Sequence, residues 1–206
     1  MNVLLINGSP HEKGCTYTAL SLIAGELNKA GIDTEILHVG GKPVGGCIGC
    51  GGCRSGNGCV FGGVVNEAIE KAKTADGFVF GSPVHYASAS GNMTSFMDRL
   101  SYAGGKYLAY KPAAICCSAR RAGTTTTLDQ LVKYPEFFHM PLVSGSYWPM
   151  VHGSNPEQVL QDAEGCAVMQ ELGRNMAWLL RCIEAGRAAG IDHPENPRRP
   201  MTNFIR

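Results

Sequence analysis

Four cysteines stand within thirteen residues, Cys47-Ile48-Gly49-Cys50-Gly51-Gly52-Cys53 followed by Cys59, in the pattern C-x2-C-x2-C-x5-C. Thiolates are soft ligands, and four of them on so short a stretch can wrap one metal centre. The glycines between them let the chain turn sharply around it. Three cysteines in seven residues suit a cubane iron–sulfur cluster better than zinc, whose structural sites usually draw on two separated pairs. Zinc, and a thiol loop that holds no metal, stay open as alternatives. A second constellation lies near the N-terminus, where Gly8-Ser9-Pro10-His11-Glu12-Lys13-Gly14-Cys15-Thr16 joins a short apolar run to a stretch of helical period. The unpaired amides of a helix N-terminus carry partial positive charge, and Ser9 and Thr16 add hydroxyls, so this turn can encircle a phosphate without a lysine. It has neither the Gly-Lys-Ser/Thr of a Walker loop nor the Gly-x-Gly-x-x-Gly of a dinucleotide site. A plain capped turn is the alternative.

Two further loops carry candidate ligand contacts. In Gly81-Ser82-Pro83-Val84-His85-Tyr86-Ala87-Ser88, the residues Pro83, Val84 and Tyr86 offer apolar contact and backbone hydrogen bonds to a flat aromatic ligand. His85 beside them is either a ligand contact or a solvated polar residue. Ser118-Ala119-Arg120-Arg121-Ala122-Gly123 sets two arginines where they could face negative charge, or stand solvated ahead of a helix. Each of these loops follows a short apolar run: residues 3–6, 34–39, 77–81 and 113–117 read as strands, with a fifth expected at Leu142-Val143. Helical spacing marks 16–30, 64–75, 91–102, the region of Leu128, Leu131 and Val132, and one long helix from Pro156, capped by Asn155, through Ile183. Strands alternating with helices imply a parallel α/β sheet covered on both faces, and such a sheet takes its ligand outside the carboxyl ends of the strands. One domain is expected over 1–190, with a Pro- and Arg-rich C-terminal arm at 191–206.

Taken in order, these segments resemble the NAD(P)H-dependent FMN reductases and iron–sulfur flavoproteins of flavodoxin-like fold. The family's phosphate loop, Gly-Ser-Pro then Gly-Asn-Thr, stands here as Gly8-Ser9-Pro10 and Gly14-Cys15-Thr16, with Cys15 in place of Asn so that its backbone N–H must serve. Residues 81–88 look like the segment that packs on the flavin ring, and Phe96-Met97-Asp98-Arg99 like the family's later Asp-Arg pair. Residues 118–123 correspond to the segment bordering the pyrimidine edge of the flavin, where the two arginines depart from a glycine-rich pattern. The resemblance implies a five-stranded parallel sheet in the order 2-1-3-4-5. It implies FMN held by Ser9, Cys15, Thr16, Pro83, Val84, His85, Tyr86, Ser118, Ala119, Arg120, Arg121 and Gly123, with NAD(P)H as electron donor. Arg121 would face reduced flavin or the 2′-phosphate of NADPH. A 4Fe–4S cluster would sit on Cys47, Cys50, Cys53 and Cys59 and exchange electrons with the flavin. The implied activity is that of an oxidoreductase that needs no protein acid or base, with a non-catalytic electron-transfer protein as the other reading. The electrons would go to a small molecule or a protein, and the assembly would be a homodimer or homotetramer.

Composition narrows the classes. In 206 residues, 18 Lys and Arg face 17 Asp and Glu, and a formal charge of +1 gives no basic face for a nucleic acid. No run approaches the ~18 apolar residues of a membrane span, and the start lacks the basic region of a signal peptide. The expected location is the cytoplasm, where nine cysteines stay reduced and a tight group of them points to metal or redox chemistry. Of the cysteines outside that group, Cys116, Cys117, Cys166 and Cys182 are expected in the core.

Overall fold

The computed structural model describes residues 1–196 and Thr202; positions 197–201 and 203–206, most of the expected arm, lie outside the described residues. The chain runs β1 (Asn2–Asn7), α1 (Cys15–Lys29), β2 (Asp33–His38), α2 (Val64–Thr74), β3 (Gly77–His85), β4 (Ser88–Ala89), α3 (Gly91–Gly104), β5 (Ala113–Ala119), α4 (Thr124–Phe137), β6 (Met150–His152), α5 (Pro156–Val159) and α6 (Ala163–Ala188). Five strands form a parallel sheet in the order β2-β1-β3-β5-β6, while the two-residue β4 turns back antiparallel on the end of β3. Leaving β4 aside, this is the expected order 2-1-3-4-5. The central strands are continuously apolar because both faces are covered. Val3 and Leu5 pack beneath α1 and α6, whereas Leu4 and Ile6 pack beneath α2, α3 and α4. Phe78 and Phe80 go to the second layer and Val79 to the first. Each such side chain fully withdrawn from water contributes ~1.5–3 kcal/mol, so two full layers hold the sheet as one platform.

Two elements differ from expectation. Leu142-Val143 makes only a single bridge, to Ala113, and the regular strand is Met150–His152. Between them the chain leaves the sheet for α6: Glu171 Oε2 accepts from the Ser146 N–H (2.9 Å) and hydroxyl (2.6 Å), and Asn175 donates to the Ser144 carbonyl (2.8 Å). The edge is regained at Pro149, whose carbonyl accepts the Cys117 N–H at 3.0 Å. Polar anchors one helical turn apart thus override the β-branched signal of Val143.

The long last helix is also divided. Asn155 caps α5 as expected, accepting from the Gln158 N–H at 2.9 Å, but α5 ends at Val159 and α6 restarts under Asp162. One Asp162 oxygen accepts from the Gly165 N–H (2.9 Å) and the other from the His152 N–H (2.7 Å), so the same carboxylate starts a helix and ends a strand. Among the remaining cysteines, Cys116 and Cys117 are fully buried and burial pushes both thiols up, that of Cys117 to about 12. Cys166 is only half-buried and Cys182 is exposed, because it lies on the outer face of α6; that corrects the core assignment. Among the described residues no helix is long and apolar enough to cross a membrane. Replacing Asp162 by Ala should cost about 1–2 kcal/mol, read as a lower urea midpoint with an unchanged slope. In an uninterrupted helix the same change would be neutral or stabilising, since Ala is the better helix former.

Candidate functional site

Parallel pairing brings the loops together. β1 and β3 are neighbours in register Asn7↔Gly81, and β3 and β5 in register Pro83↔Ser118, so residues 8–14, 83–87 and 118–123 emerge side by side. The cysteine loop leaves β2, on the other side of β1, at the same end of the sheet.

The first loop is shaped from outside. Asn7 is fully buried; its Oδ1 accepts from the Ser9 N–H (3.1 Å) and its Nδ2 donates to the Glu12 carbonyl (2.9 Å). The Gly8 N–H donates to Gly81 at 2.9 Å, and the Gly8 carbonyl accepts from the Ser90 hydroxyl at 2.7 Å. His38 donates from Nε2 to the Ser9 carbonyl (2.8 Å). Gly40 lies against the same peptide, so closely that a Cβ there would stand 2.1 Å from the Ser9 carbonyl oxygen. The inner side stays open. No side chain caps α1 at Gly14, and among the described residues the amides of Cys15, Thr16 and Tyr17 have no partner. Convergent free N–H groups at a helix start are what an anionic group needs, and a phosphate fits them.

The expected side chains contribute unequally. Ser9 Oγ accepts from the His11 N–H (3.1 Å), which leaves its own proton to donate. The Thr16 and Ser118 hydroxyls lie 2.8 Å apart, both buried, and join the first segment to the third. The Cys15 thiol donates to the Gly153 carbonyl at 3.5 Å, away from the loop, and burial raises its pKa; only its N–H remains for an anion.

β3 continues through half-buried Pro83 and Val84 to exposed His85, further than the sequence indicates, and turns into β4 over Tyr86-Ala87. Both turn residues have positive φ, 50° and 57°, the region that two-residue hairpins normally fill with Asn or Gly. The turn is clamped by α4: Thr126 donates to the Ala87 carbonyl at 2.8 Å, and Gln130 Oε1 accepts from the Ser88 hydroxyl and the Ala89 N–H, each at 2.8 Å. Gly123, at φ 89°, comes so near that its Cβ would stand 2.7 Å from the Ala87 Cα. The result is a Tyr86 ring held wholly in solvent beside the loop cluster. Ala119 is buried in β5, whereas Arg120 and Arg121 are exposed. The structure therefore gathers Ser9, Thr16, Pro83, Val84, Ser118 and Gly123, and leaves His85, Tyr86 and both arginines standing free around them.

Cys47, Cys50, Cys53 and Cys59 all line one cavity of about 320 Å³, with Phe61, Arg99 and Tyr102 on its walls. Gly49 and Gly51 take positive φ (65° and 71°), the sharp turns expected of them. Asn66 grips Cys59 from both sides, accepting its N–H (2.8 Å) and donating to its carbonyl (3.0 Å). Among the described residues no three Cys, His, Asp or Glu side chains gather tightly enough for a single metal ion. Four Zn–S bonds of ~2.3 Å would draw the sulfurs to about 4 Å from one another. A cubane spreads its ligands more widely, so the donor set and its cavity fit the larger group better.

Asn7, His38, Gly40 and Asn92 are working parts of the site that the sequence reading omits. Asn92 donates to the carbonyls of Gly40 (2.9 Å) and Lys42 (3.0 Å) and accepts from the Val44 N–H (3.0 Å). Of these, only Asn7 has a sequence signal, a polar residue closing an apolar strand directly before Gly-Ser-Pro.

The sequence pattern of the NADPH-dependent FMN reductases matches residues 1–155. The chain is 29% identical over 193 residues to an iron–sulfur flavoprotein of Methanocaldococcus jannaschii, covering 89% of this chain and 100% of that one. It is 29% identical over 197 residues to an iron–sulfur flavoprotein of Archaeoglobus fulgidus, covering 91% and 96%. Among solved structures, the WrbA-like flavodoxin of Agrobacterium tumefaciens superposes with a TM-score of 0.63 at 14% identity, covering 88% of this chain and 97% of that one, which shows the fold to be flavodoxin-like.

Gly40→Ala should displace the Ser9 peptide and weaken binding of a phosphate-bearing ligand at least tenfold by titration, with the circular dichroism spectrum unchanged. Ala87→Gly should relieve the left-handed strain and raise stability by roughly 1 kcal/mol, seen as a higher melting temperature.

Proposed function

Because the chain belongs to the NADPH-dependent FMN reductase family, we propose that it is a cytoplasmic flavoprotein oxidoreductase that holds one FMN, accepts electrons from NAD(P)H and passes them to a second acceptor. The observation that carries this reading is the set of free amides at Cys15, Thr16 and Tyr17 in a loop already fixed from behind. FMN would supply the ring that takes up hydride and releases electrons. The chain's own work is binding and placement. The Cys15–Tyr17 amides and the Ser9 hydroxyl bind the phosphate, and the Thr16–Ser118 bond fixes the distance from that anchor to the ring site. Pro83 and Val84 form an apolar wall, and His85 and Tyr86 stand at the mouth. Arg120 and Arg121 put positive charge beside the pyrimidine edge, or meet the 2′-phosphate of NADPH. No side chain need act as acid or base.

Cys47, Cys50, Cys53 and Cys59 would hold a 4Fe–4S cluster that relays electrons from the flavin. A second reading, a non-catalytic electron-transfer protein, is favoured by the four thiols sharing one cavity. The active form would be a homodimer or homotetramer with a nicotinamide donor and a small-molecule or protein acceptor, and no nucleic-acid or membrane partner.

Protein purified without oxygen should release FMN on heating, about one per chain, and show broad iron–sulfur absorbance that Cys50→Ser abolishes while the flavin stays. NADPH or NADH should bleach the flavin within seconds. Recovery of FAD alone would contradict the single phosphate site. Reduction only by a protein donor would select the second reading, and absence of stoichiometric iron and sulfide would remove the cluster.

A further inference from the structure

Among the described residues Arg99 is the one charged side chain that is buried, at 6% exposure. A buried guanidinium ordinarily has a carboxylate for counter-charge. Here the adjacent acid, Asp98, is instead engaged by the Tyr134 hydroxyl at 2.6 Å. Arg99 spends its fork on the cysteine loop: Nε donates to Cys59 Sγ (3.2 Å), Nη1 to the Gly45 carbonyl (3.3 Å) and Nη2 to the Gly62 carbonyl (3.0 Å). Its guanidinium lies over the Phe61 ring, 5.5 Å from the centroid. Two of the three acceptors are neutral peptides that bracket the cysteines, one before Cys47 and one after Cys59. Only the sulfur can carry a full negative charge.

We propose that Arg99 is the built-in counter-charge of the metal group on this loop, holding Cys59 as its fourth ligand and raising the group's reduction potential. The inference rests on the reading of the loop as a 4Fe–4S site. Adding an electron to such a centre adds one negative charge. A fixed cation and an N–H donor at the ligand sulfur, shielded from water, stabilise that reduced form more than the oxidised one. Arg99 is thus a positioning residue, acting on the centre through Cys59 rather than touching it.

The test compares wild type, Arg99→Lys and Arg99→Gln, each purified without oxygen with its cofactors. Iron and sulfide are assayed, and flavin and cluster potentials are followed separately during titration with dithionite. Lys keeps the charge and loses the fork, whereas Gln loses the charge. The expected result is a cluster midpoint shifted negative in Arg99→Gln, a smaller shift in Arg99→Lys, and an unchanged flavin midpoint. If Arg99→Gln retains no iron, retention by Arg99→Lys supports the proposal, and equal loss by both overturns it. Equal cluster potentials in all three proteins would also overturn it. A wild type without iron and sulfide would defeat the cluster reading and this inference together, and that result is visible before any variant is measured.

Discussion

Asn7 closes β1 where water cannot reach it, and its amide spans the loop that follows, accepting from Ser9 and donating to Glu12. A buried side-chain amide with both ends satisfied cannot rotate without losing hydrogen bonds that the interior will not replace. That fixes the course of the phosphate loop, and other contacts depend on it. Gly40 can press on the Ser9 peptide because the peptide is immobile, and Ser90 and His38 reach the carbonyls of Gly8 and Ser9 at set positions. With Asn7, Gly8 and Ser9 engaged by their neighbours, the amides of Cys15, Thr16 and Tyr17 at the start of α1 have no partner among the described residues. These donors are free because the first amides of a helix have no intrahelical acceptor and no side chain caps this one.

α3 carries this order from one loop to another. Its cap, Ser90, bonds the phosphate loop; Asn92, two residues on, secures residues 40–44; and Arg99, two turns further, grips the cysteine loop at Gly45, Cys59 and Gly62. The buried face of the helix, Met93, Phe96, Met97 and Leu100, locks it to the sheet, so these three attachments keep fixed spacing. A glycine-rich loop with little core of its own is thereby positioned by a rigid neighbour.

The hairpin at Tyr86-Ala87 shows the opposite economy. Its two residues occupy a conformation that both resist, and the clamp from Thr126 and Gln130 with the close approach of Gly123 keeps them there. Strain at the mouth of the site thus coexists with unpaired amides at the start of α1. The interrupted last strand, by contrast, leaves the site unaffected, because β6 rejoins β5 at Cys117↔Met150, level with the loops that matter.

The order of the strands is implied by the family resemblance, whereas the residues alone indicate the alternation of strands with helices, the burial of Val3 to Ile6 on both faces, the turn before α1 and the four-cysteine loop. Each of the latter rests on local pattern: apolar runs of strand length, Gly-Ser-Pro before a helix, a dense C-x2-C-x2-C. Only the tertiary structure decided that Cys15 turns away to Gly153 and that Leu142-Val143 yields to Met150–His152. The same is true of the helix restart at Asp162 and of the joint attachment of Gly40, Asn92 and Arg99 to loops distant in sequence. Those outcomes depend on which hydrogen-bonding group of a remote segment lies within reach once the layers have packed. Propensity and periodicity describe a residue's near neighbours along the chain, whereas a buried polar group is placed by whatever satisfies it in space.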